Sequence, residues 1–206
     1  RILSLGLSHE ENLVEASKLG TPHQVSVVTL KLTNARDEKI QNEFDLIESE
    51  KFSGLVKVTN NGLTFIGSEI SESKKTGVLE TDFDIHTYYL KGTKDLSTGQ
   101  IEHKLNLTIS HNSKKSRKYS SSISCDQWGR CDGNKHPLHL ISSSASNCSA
   151  SKCDYREIME IDFDDDFLRT AIEKGFTLKV DSKKTSNKVK ISKAYLMGYL
   201  RITHKI

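Results

Sequence analysis

The sequence contains no apolar run that approaches the roughly eighteen residues needed to span a bilayer. It also lacks a C-x-x-C pair, a G-x-S-x-G turn and a Gly-rich loop before a helix, the patterns of thiol-redox, serine-hydrolase and phosphate-binding sites. The net charge of +3 is too small to attract nucleic acid without other help. We therefore predict no nucleic-acid partner, no cofactor and no catalytic residue.

Length and composition predict a folded chain with one core. The 206 residues suffice to bury a sizeable core. Only 35% of the residues are hydrophobic and 28% are charged, but the apolar residues recur in patterned blocks, which argues against disorder. We expect a single domain over residues 1–206 that includes a disulfide-stapled loop region at residues 125–153.

All four cysteines lie inside that loop region, where they allow three pairings. The simplest pairing joins Cys125 to Cys131 and Cys148 to Cys153. Each bridge then closes a short loop of polar or small residues that packing alone would not hold in shape. Disulfides of this kind form in oxidising compartments.

A structural zinc site is the alternative, with four thiolates or with two thiolates and the side chains of His136 and His139. Ligands in zinc knuckles lie about two to four residues apart, whereas five residues separate Cys125 from Cys131. The spacing favours disulfides, and we expect a periplasmic, cell-surface or extracellular protein. Any membrane attachment would require a lipid anchor outside the given chain.

The first third of the chain combines helix and strand patterns. Ser8 followed three residues later by Glu11 is a capping-box signature, which predicts a helix that ends near residue 19. The β-branched run at residues 25–32 predicts a buried strand. Residues 35–52 fit a helix and a long connection equally well, and an Asn-Asn-Gly turn at residues 60–62 predicts a hairpin.

The clearest period-2 segment covers residues 79–89 and predicts a strand with one dry face. The residues assigned to the core are Leu79, Thr81, Phe83, Ile85, Thr87 and Tyr89. The residues assigned to the wet face are Glu80, Asp82, Asp84, His86 and Tyr88. The next strand places Ile101, His103, Leu105, Leu107 and Ile109 on one face. We expect these two strands to pair antiparallel.

Strand patterns also dominate the second half. The basic run at residues 114–118 fits a solvated turn, and Ser142–Ser144 fit a flexible loop. The strands are predicted at residues 119–124, 157–163, 176–180, 189–191 and 195–204, with a helix at residues 165–174. We predict an all-β, mainly antiparallel, β-sandwich-like fold with one or two short peripheral helices.

Asp162, Asp164 and Asp166, with Glu173, match several positions of a calcium-binding loop. The sixth position must turn sharply and is normally Gly, but here it is Phe167. The carboxylates therefore fit a helix N-terminus better, where they favour the helix dipole. They remain weak metal candidates.

Four of the histidines fall on predicted strands or near the cysteines: His86, His103, His136 and His139. A site of two or three histidines would suit a metal. Scattered histidines on wet strand faces are commoner, and we predict no metal.

Trp128, the only tryptophan, lies between the first two cysteines. A disulfide there could hold the side chain rigidly outward as an anchor for a partner. Alternatively, the side chain could fold back over the loop as a local core.

We predict a non-enzymatic, exported binding or structural module of a cell-envelope or surface assembly, held by protein partners as part of a larger assembly or a homo-oligomer. A carbohydrate-binding or adhesive domain would be favoured if Trp128 formed an exposed platform with Tyr88 or Tyr89. A metal-dependent hydrolase would be favoured if His and Asp side chains converged in one pocket.

Overall fold

The computed structural model describes residues 8–18, 21–75, 83–126, 129–131 and 134–204. The chain divides into two compact units, residues 1–47 and residues 48–206. The single domain expected from the sequence stays a prediction.

The first unit is helical. Helix α1 (His9–Ser17) begins with the predicted capping box, in which the Ser8 N–H donates to Glu11 Oε2 at 2.7 Å and the Glu11 N–H donates to Ser8 Oγ at 3.3 Å. Helix α2 (Pro22–Leu55) spans 34 residues, and its residues 48–55 belong to the second unit. It begins with proline, which is favoured in the first helical turn.

The strand predicted at residues 25–32 is therefore wrong, because these residues lie in helix α2. Val25, Val28 and Leu32 are the half-buried or buried apolar residues of this stretch. Their spacing of three and four residues follows one face of a helix. The β-branched composition outweighed that spacing in the sequence-based prediction.

The second unit contains eleven strands among its described residues. They are β1 (Lys57–Thr59), β2 (Thr64–Ile66), β3 (Ile70–Lys75), β4 (Phe83–Lys94), β5 (Ile101–Ser113), β6 (Ser121–Cys125), β7 (Lys135–His136), β8 (Leu138–Ser146), β9 (Cys153–Phe163), β10 (Phe176–Asp181) and β11 (Ser186–Ile191). Two further helices are α3 (Asp165–Ala171) and α4 (Lys193–His204).

The strands form two antiparallel sheets, neither of which is closed. The seven-stranded sheet has the order β1-β2-β4-β5-β9-β8, and β3 also pairs with β4. The four-stranded sheet has the order β11-β10-β6-β7. The predicted antiparallel character is confirmed, but helices make up 34% of the structure beside 41% strand, so the all-β class describes the fold only roughly.

The predicted hairpin is confirmed by the pairing of β1 with β2. Asn60, Asn61 and Gly62 have φ angles of 53°, 53° and 87°. These values lie in the left-handed region, which Asn and Gly tolerate best. The Asn-Asn-Gly signal therefore identified the turn correctly.

The strand predicted at residues 195–204 is wrong, since helix α4 covers this segment. Tyr195 and Tyr199 are four residues apart and both are buried, as expected for one face of a helix. A Cβ on Gly198 would lie 2.6 Å from the carbonyl oxygen of Ser49 and 2.6 Å from Cβ of Phe52. Glycine therefore allows α4 to approach the last turns of α2 closely.

The two faces of strand β4 are the reverse of the predicted ones. Asp84, His86 and Tyr88 are buried, while Ile85 is 46% exposed. The reason is the register, which pairs these three residues with His111, Ile109 and Leu107 of β5, and paired residues share a face. The predicted buried face of β5 and its antiparallel pairing with β4 are confirmed. Leu79 to Asp82 lie outside the described residues.

The buried face of the β4–β5 pair is apolar in its middle and polar at its ends. Tyr88 and Leu90 lie opposite Leu107 and Leu105, and all four belong to the hydrophobic core. The core continues into strands β9, β10 and β11 and helix α4 through residues such as Met159, Leu178, Val189 and Leu196. The polar ends carry His103 and also His86, which the sequence-based prediction had assigned to the wet face.

Candidate functional sites

The predicted disulfides are both present. Cys125 is bonded to Cys131 and Cys148 to Cys153, each with a Cα–Cα distance of 4.0 Å. The region between the bridges is not loop throughout, because β8 (Leu138–Ser146) occupies the serine run predicted to be flexible. Two disulfides are compatible with a secreted or periplasmic protein. In the described part of the chain, no helix combines the length and apolarity needed to cross a bilayer.

Of the aromatic residues proposed for binding, Trp128 lies outside the described residues. Tyr88 is only 3% exposed, and its hydroxyl donates to the carbonyl oxygen of Lys190 at 2.8 Å. Its ring packs edge-on against Tyr195 and cannot serve as a surface platform. Tyr89 is half-buried on the other face of β4. A binding role for Trp128 stays a prediction.

The aspartates of the calcium-loop pattern occupy separate positions. Asp162 is the last residue but one of β9, with one carboxylate oxygen 3.0 Å from His139 Nε2 and the other 3.8 Å from Lys104 Nζ. Asp164 is the N-cap residue of α3, and Asp166 lies in the first turn of that helix. The predicted placement at a helix N-terminus is therefore confirmed for Asp164 and Asp166, whereas Asp162 lies in β9.

The histidines near the cysteines also do not meet. His136 is buried with its ring 4.5 Å from that of Phe163 and 4.6 Å from that of Phe167. Burial lowers the pKa of His136, against the opposing charge of Asp164. His139 is exposed and contacts Asp162 instead.

One polar end of the β4–β5 face is the Asp84 network, formed by Asp84, His86, Arg117, Tyr119 and Asn187. The Arg117 guanidinium binds both carboxylate oxygens of Asp84, with an Nη2–Oδ1 distance of 3.0 Å. Asn187 Nδ2 lies 2.8 Å from Asp84 Oδ2 and 2.9 Å from His86 Nε2. Arg117 and Tyr119 also donate to Asn187 Oδ1. Arg117 is therefore part of a buried ion pair, which corrects its prediction as part of a solvated turn.

Beside this network, Glu157 is buried and accepts hydrogen bonds from four groups. The donors are His111 Nε2 at 3.2 Å, Ser116 Oγ at 2.6 Å, Ser143 Oγ at 3.3 Å and the Lys118 N–H at 2.9 Å. Burial alone would raise the pKa of Glu157, but the hydrogen bonds from His111, Ser116 and Lys118 lower it to about 2. Three of these donors bond to Oε1 and one to Oε2, so the carboxylate ties β5, β8 and β9 together.

The other polar end is the His103 cluster, formed by His103, Asp165, Arg169, Tyr199 and His204. Asp165 Oδ1 lies 2.9 Å from His103 Nε2 and 2.8 Å from His204 Nε2. Arg169 Nε donates to Asp165 Oδ2 at 2.7 Å, and Arg169 Nη2 lies 2.8 Å from His204 Nδ1. The Tyr199 hydroxyl lies 3.0 Å from His103 Nδ1.

Three elements bring the His103 cluster together. His103 comes from β5, Asp165 from the first turn of α3 and His204 from the last turn of α4. His103 is opposite Gly92 of β4, and a Cβ at Gly92 would lie 2.6 Å from the Tyr199 hydroxyl. Glycine thus leaves the space in which Tyr199 reaches the imidazole.

Among the described residues, His103, Asp165 and His204 form the one group of at least three potential metal ligands, with ligand atoms within 4.8 Å of one another. The sequence-based prediction missed this group because it assigned residues 195–204 to a strand. A helix ending at His204 next to an acidic helix start was the signal that could have found it. His204 also lines a cleft of about 760 Å³, together with Phe65, Ile101 and Arg201.

Strand β8 offers a different kind of site, at the edge of the seven-stranded sheet. It pairs with β9 on one side and has no partner strand on the other among the described residues. Every residue from His139 to Ser146 is exposed, including Ile141 at 57%. No Asp, Glu, Lys, Arg or Pro occurs between Leu138 and Ser146.

Comparison of the chain with protein-family models, with curated proteins and with solved structures finds no match in any of the three. Function must therefore be inferred from the chemistry of these surfaces and clusters.

Proposed function

We propose that this chain is a non-enzymatic, β-sandwich-like structural module of an exported cell-envelope or surface assembly, and that it assembles by pairing the free edge of β8 with β8 of a second copy. The observation that carries this proposal is an uncharged edge strand of nine residues, exposed from His139 onward. Two disulfides support an oxidising location.

A free strand edge presents a row of unpaired backbone donors and acceptors, so it tends to pair with another strand unless it is blocked. Proteins usually block such edges with charged residues, proline or bulges. Strand β8 has one irregularity, between Leu140 and Ser142, and no charged side chain. The edge is therefore open to strand addition.

The composition of β8 favours a second copy as the partner. Antiparallel pairing of two identical strands places each side chain near another from the same set, and like charges opposite each other destabilise such a pair. The set in β8 consists of Leu, Ile, Ala, Ser and one His, so two copies meet without repulsion between permanent charges. The exposed Leu140 and Ile141 add apolar contact at the junction.

The test is sedimentation velocity over a range of protein concentrations, with Ile141→Lys and Ala145→Lys as the variants. Both positions are exposed, so the added lysines leave the core untouched while placing like charges along the edge. We expect the wild type to self-associate and each variant to weaken that association by at least about tenfold.

The matched control is Ile85→Lys, since Ile85 is similarly exposed but lies on β4, which is paired on both sides. This control should associate like the wild type. A wild-type chain that stays monomeric at high concentration, or a control that weakens association as much as Ile141→Lys, would overturn the proposal.

A further inference from the structure

We propose that His103, Asp165 and His204 bind a divalent transition metal of the zinc class through His103 Nε2, His204 Nε2 and Asp165 Oδ1. His103 Nε2 and His204 Nε2 already lie 2.9 Å and 2.8 Å from Asp165 Oδ1. Two histidines and one carboxylate are a donor set that zinc uses in proteins.

The spacing of the ligand atoms is close to that of a coordination shell. Zinc–ligand distances of about 2.0 to 2.2 Å separate neighbouring ligands by roughly 3.3 Å in a tetrahedral site. The three ligand atoms here lie within 4.8 Å of one another. Small rotations of the side chains would therefore open the hydrogen-bonded group into a metal site.

The surroundings of His103 suit a metal ligand. Coordination through Nε2 requires the proton on Nδ1, and ligating histidines usually donate that proton to a second group. The Tyr199 hydroxyl, 3.0 Å from Nδ1, can rotate to accept it.

Arg169 is the group that competes with the metal. Its guanidinium donates to His204 Nδ1 and to Asp165 Oδ2. Because Nδ1 of His204 accepts this hydrogen bond, the proton of the imidazole lies on Nε2, the atom that the metal would bind. The side chain of Arg169 is 48% exposed, so it can move into solvent at little cost. We therefore infer that metal binding displaces Arg169 from His204.

Three protein ligands leave one position of a tetrahedral site for water, an arrangement found in catalytic rather than closed structural zinc sites. Asp165 is partly exposed, which gives that position access to solvent. The inference concerns metal binding and is independent of the assembly proposed for β8.

The experiment titrates the untagged, disulfide-intact protein, first treated with a chelator, with Zn²⁺ by calorimetry and with Co²⁺ by visible absorption. We expect one ion per chain and a Co²⁺ spectrum of low coordination number. His204→Gln and Asp165→Asn should each weaken binding by at least about tenfold, since each removes a ligand. Circular dichroism checks that the variants fold.

Arg169→Gln is the decisive variant, because the direction of its effect on metal affinity tests the inference. Removing the competing cation should strengthen metal binding by roughly three- to tenfold, a result that a purely structural hydrogen-bond network would not produce. His139→Gln is the matched control, because His139 and Asp162 form an exposed pair of the same residue types without a third ligand. Absence of binding, binding that His204→Gln leaves unchanged, or binding that Arg169→Gln fails to strengthen would overturn the inference.

Discussion

The two polar ends of the β4–β5 face contain the same residue types but arrange them differently. The Asp84 network buries an arginine, an aspartate and a histidine among strands, where the side chains of Arg117 and Asp84 are 14% and 1% exposed. The His103 cluster also joins an arginine, an aspartate and a histidine, but its arginine and aspartate come from helix α3 and remain partly exposed. The first arrangement supports the fold, and the second can rearrange without disturbing the sheet.

This difference shows why a count of histidines and carboxylates does not identify a site. Beside the Asp84 network, Glu157 is completely buried and accepts hydrogen bonds from four donors, so it is not accessible to a ligand. At the His103 cluster, Asp165 is held by side chains of which Arg169 is free to leave. Exposure and replaceable partners, rather than residue type, distinguish a candidate site from a structural network.

The largest expected difference between the two ends is in the free energy of unfolding when Arg117 or Arg169 is replaced. Arg117→Gln leaves the buried Asp84 carboxylate without its cation, and loss of one partner of a buried pair destabilises proteins by about 3 to 5 kcal/mol. Arg169→Gln removes a half-exposed pair and should change the free energy of unfolding by less than about 1 kcal/mol. Urea denaturation of both variants measures the difference. Similar losses for the two variants would show that the ends do not differ in this way.

The second difference should appear as a pH dependence. Burial, followed by the charge of Lys74, lowers the pKa of His86 from 6.5 to about 4, although Asp84 acts in the opposite direction. Between pH 6.5 and about pH 4, His86 binds a proton in the unfolded state but not in the folded state. The free energy of unfolding therefore falls as the pH is lowered through this range. The full effect corresponds to about 3 kcal/mol.

The test compares the free energy of unfolding at pH 7.5 and pH 4 for the wild type and for His86→Gln. The variant should lose about 3 kcal/mol less than the wild type over this interval. His103→Gln serves as the comparison, and we expect a smaller change because Asp165 favours the protonated form of His103 and offsets part of the burial effect. An identical pH dependence in the wild type and His86→Gln would contradict the assignment.

Local signals in the sequence predicted the elements that local chemistry determines. The capping box at Ser8, the Asn-Asn-Gly turn and the two short disulfide loops all occur as predicted. Each depends on residues a few positions apart, so the sequence contains the whole interaction. The free edge at β8 has no such local signal, since an edge depends on which strands pair.

The sequence-based predictions were wrong where contacts between distant parts of the chain determine the structure. Alternation along β4 was evident, but its buried face was chosen by polarity, and Asp84 and His86 are buried because Arg117 and Asn187 satisfy them from distant parts of the chain. The tyrosines of α4 resembled a strand by composition, although their spacing of four residues was helical. That error concealed the His103 cluster, because His204 meets Asp165 only if residues 193–204 are helical.

The smallest expected effect concerns the glycine that shapes the His103 end. Gly92→Ala would place a methyl group 2.6 Å from the Tyr199 hydroxyl and 3.4 Å from His103 Nδ1, so the tyrosine must shift away from the imidazole. Overpacking of this kind costs about 1 to 3 kcal/mol. Gly54→Ala is the control, because a Cβ there meets nothing within 4 Å and alanine is favoured in a helix. Thermal unfolding should show a lower midpoint for Gly92→Ala and an unchanged or higher midpoint for Gly54→Ala. Equal midpoints would mean that Tyr199 has room to move, and the rigid contact with His103 would then not hold.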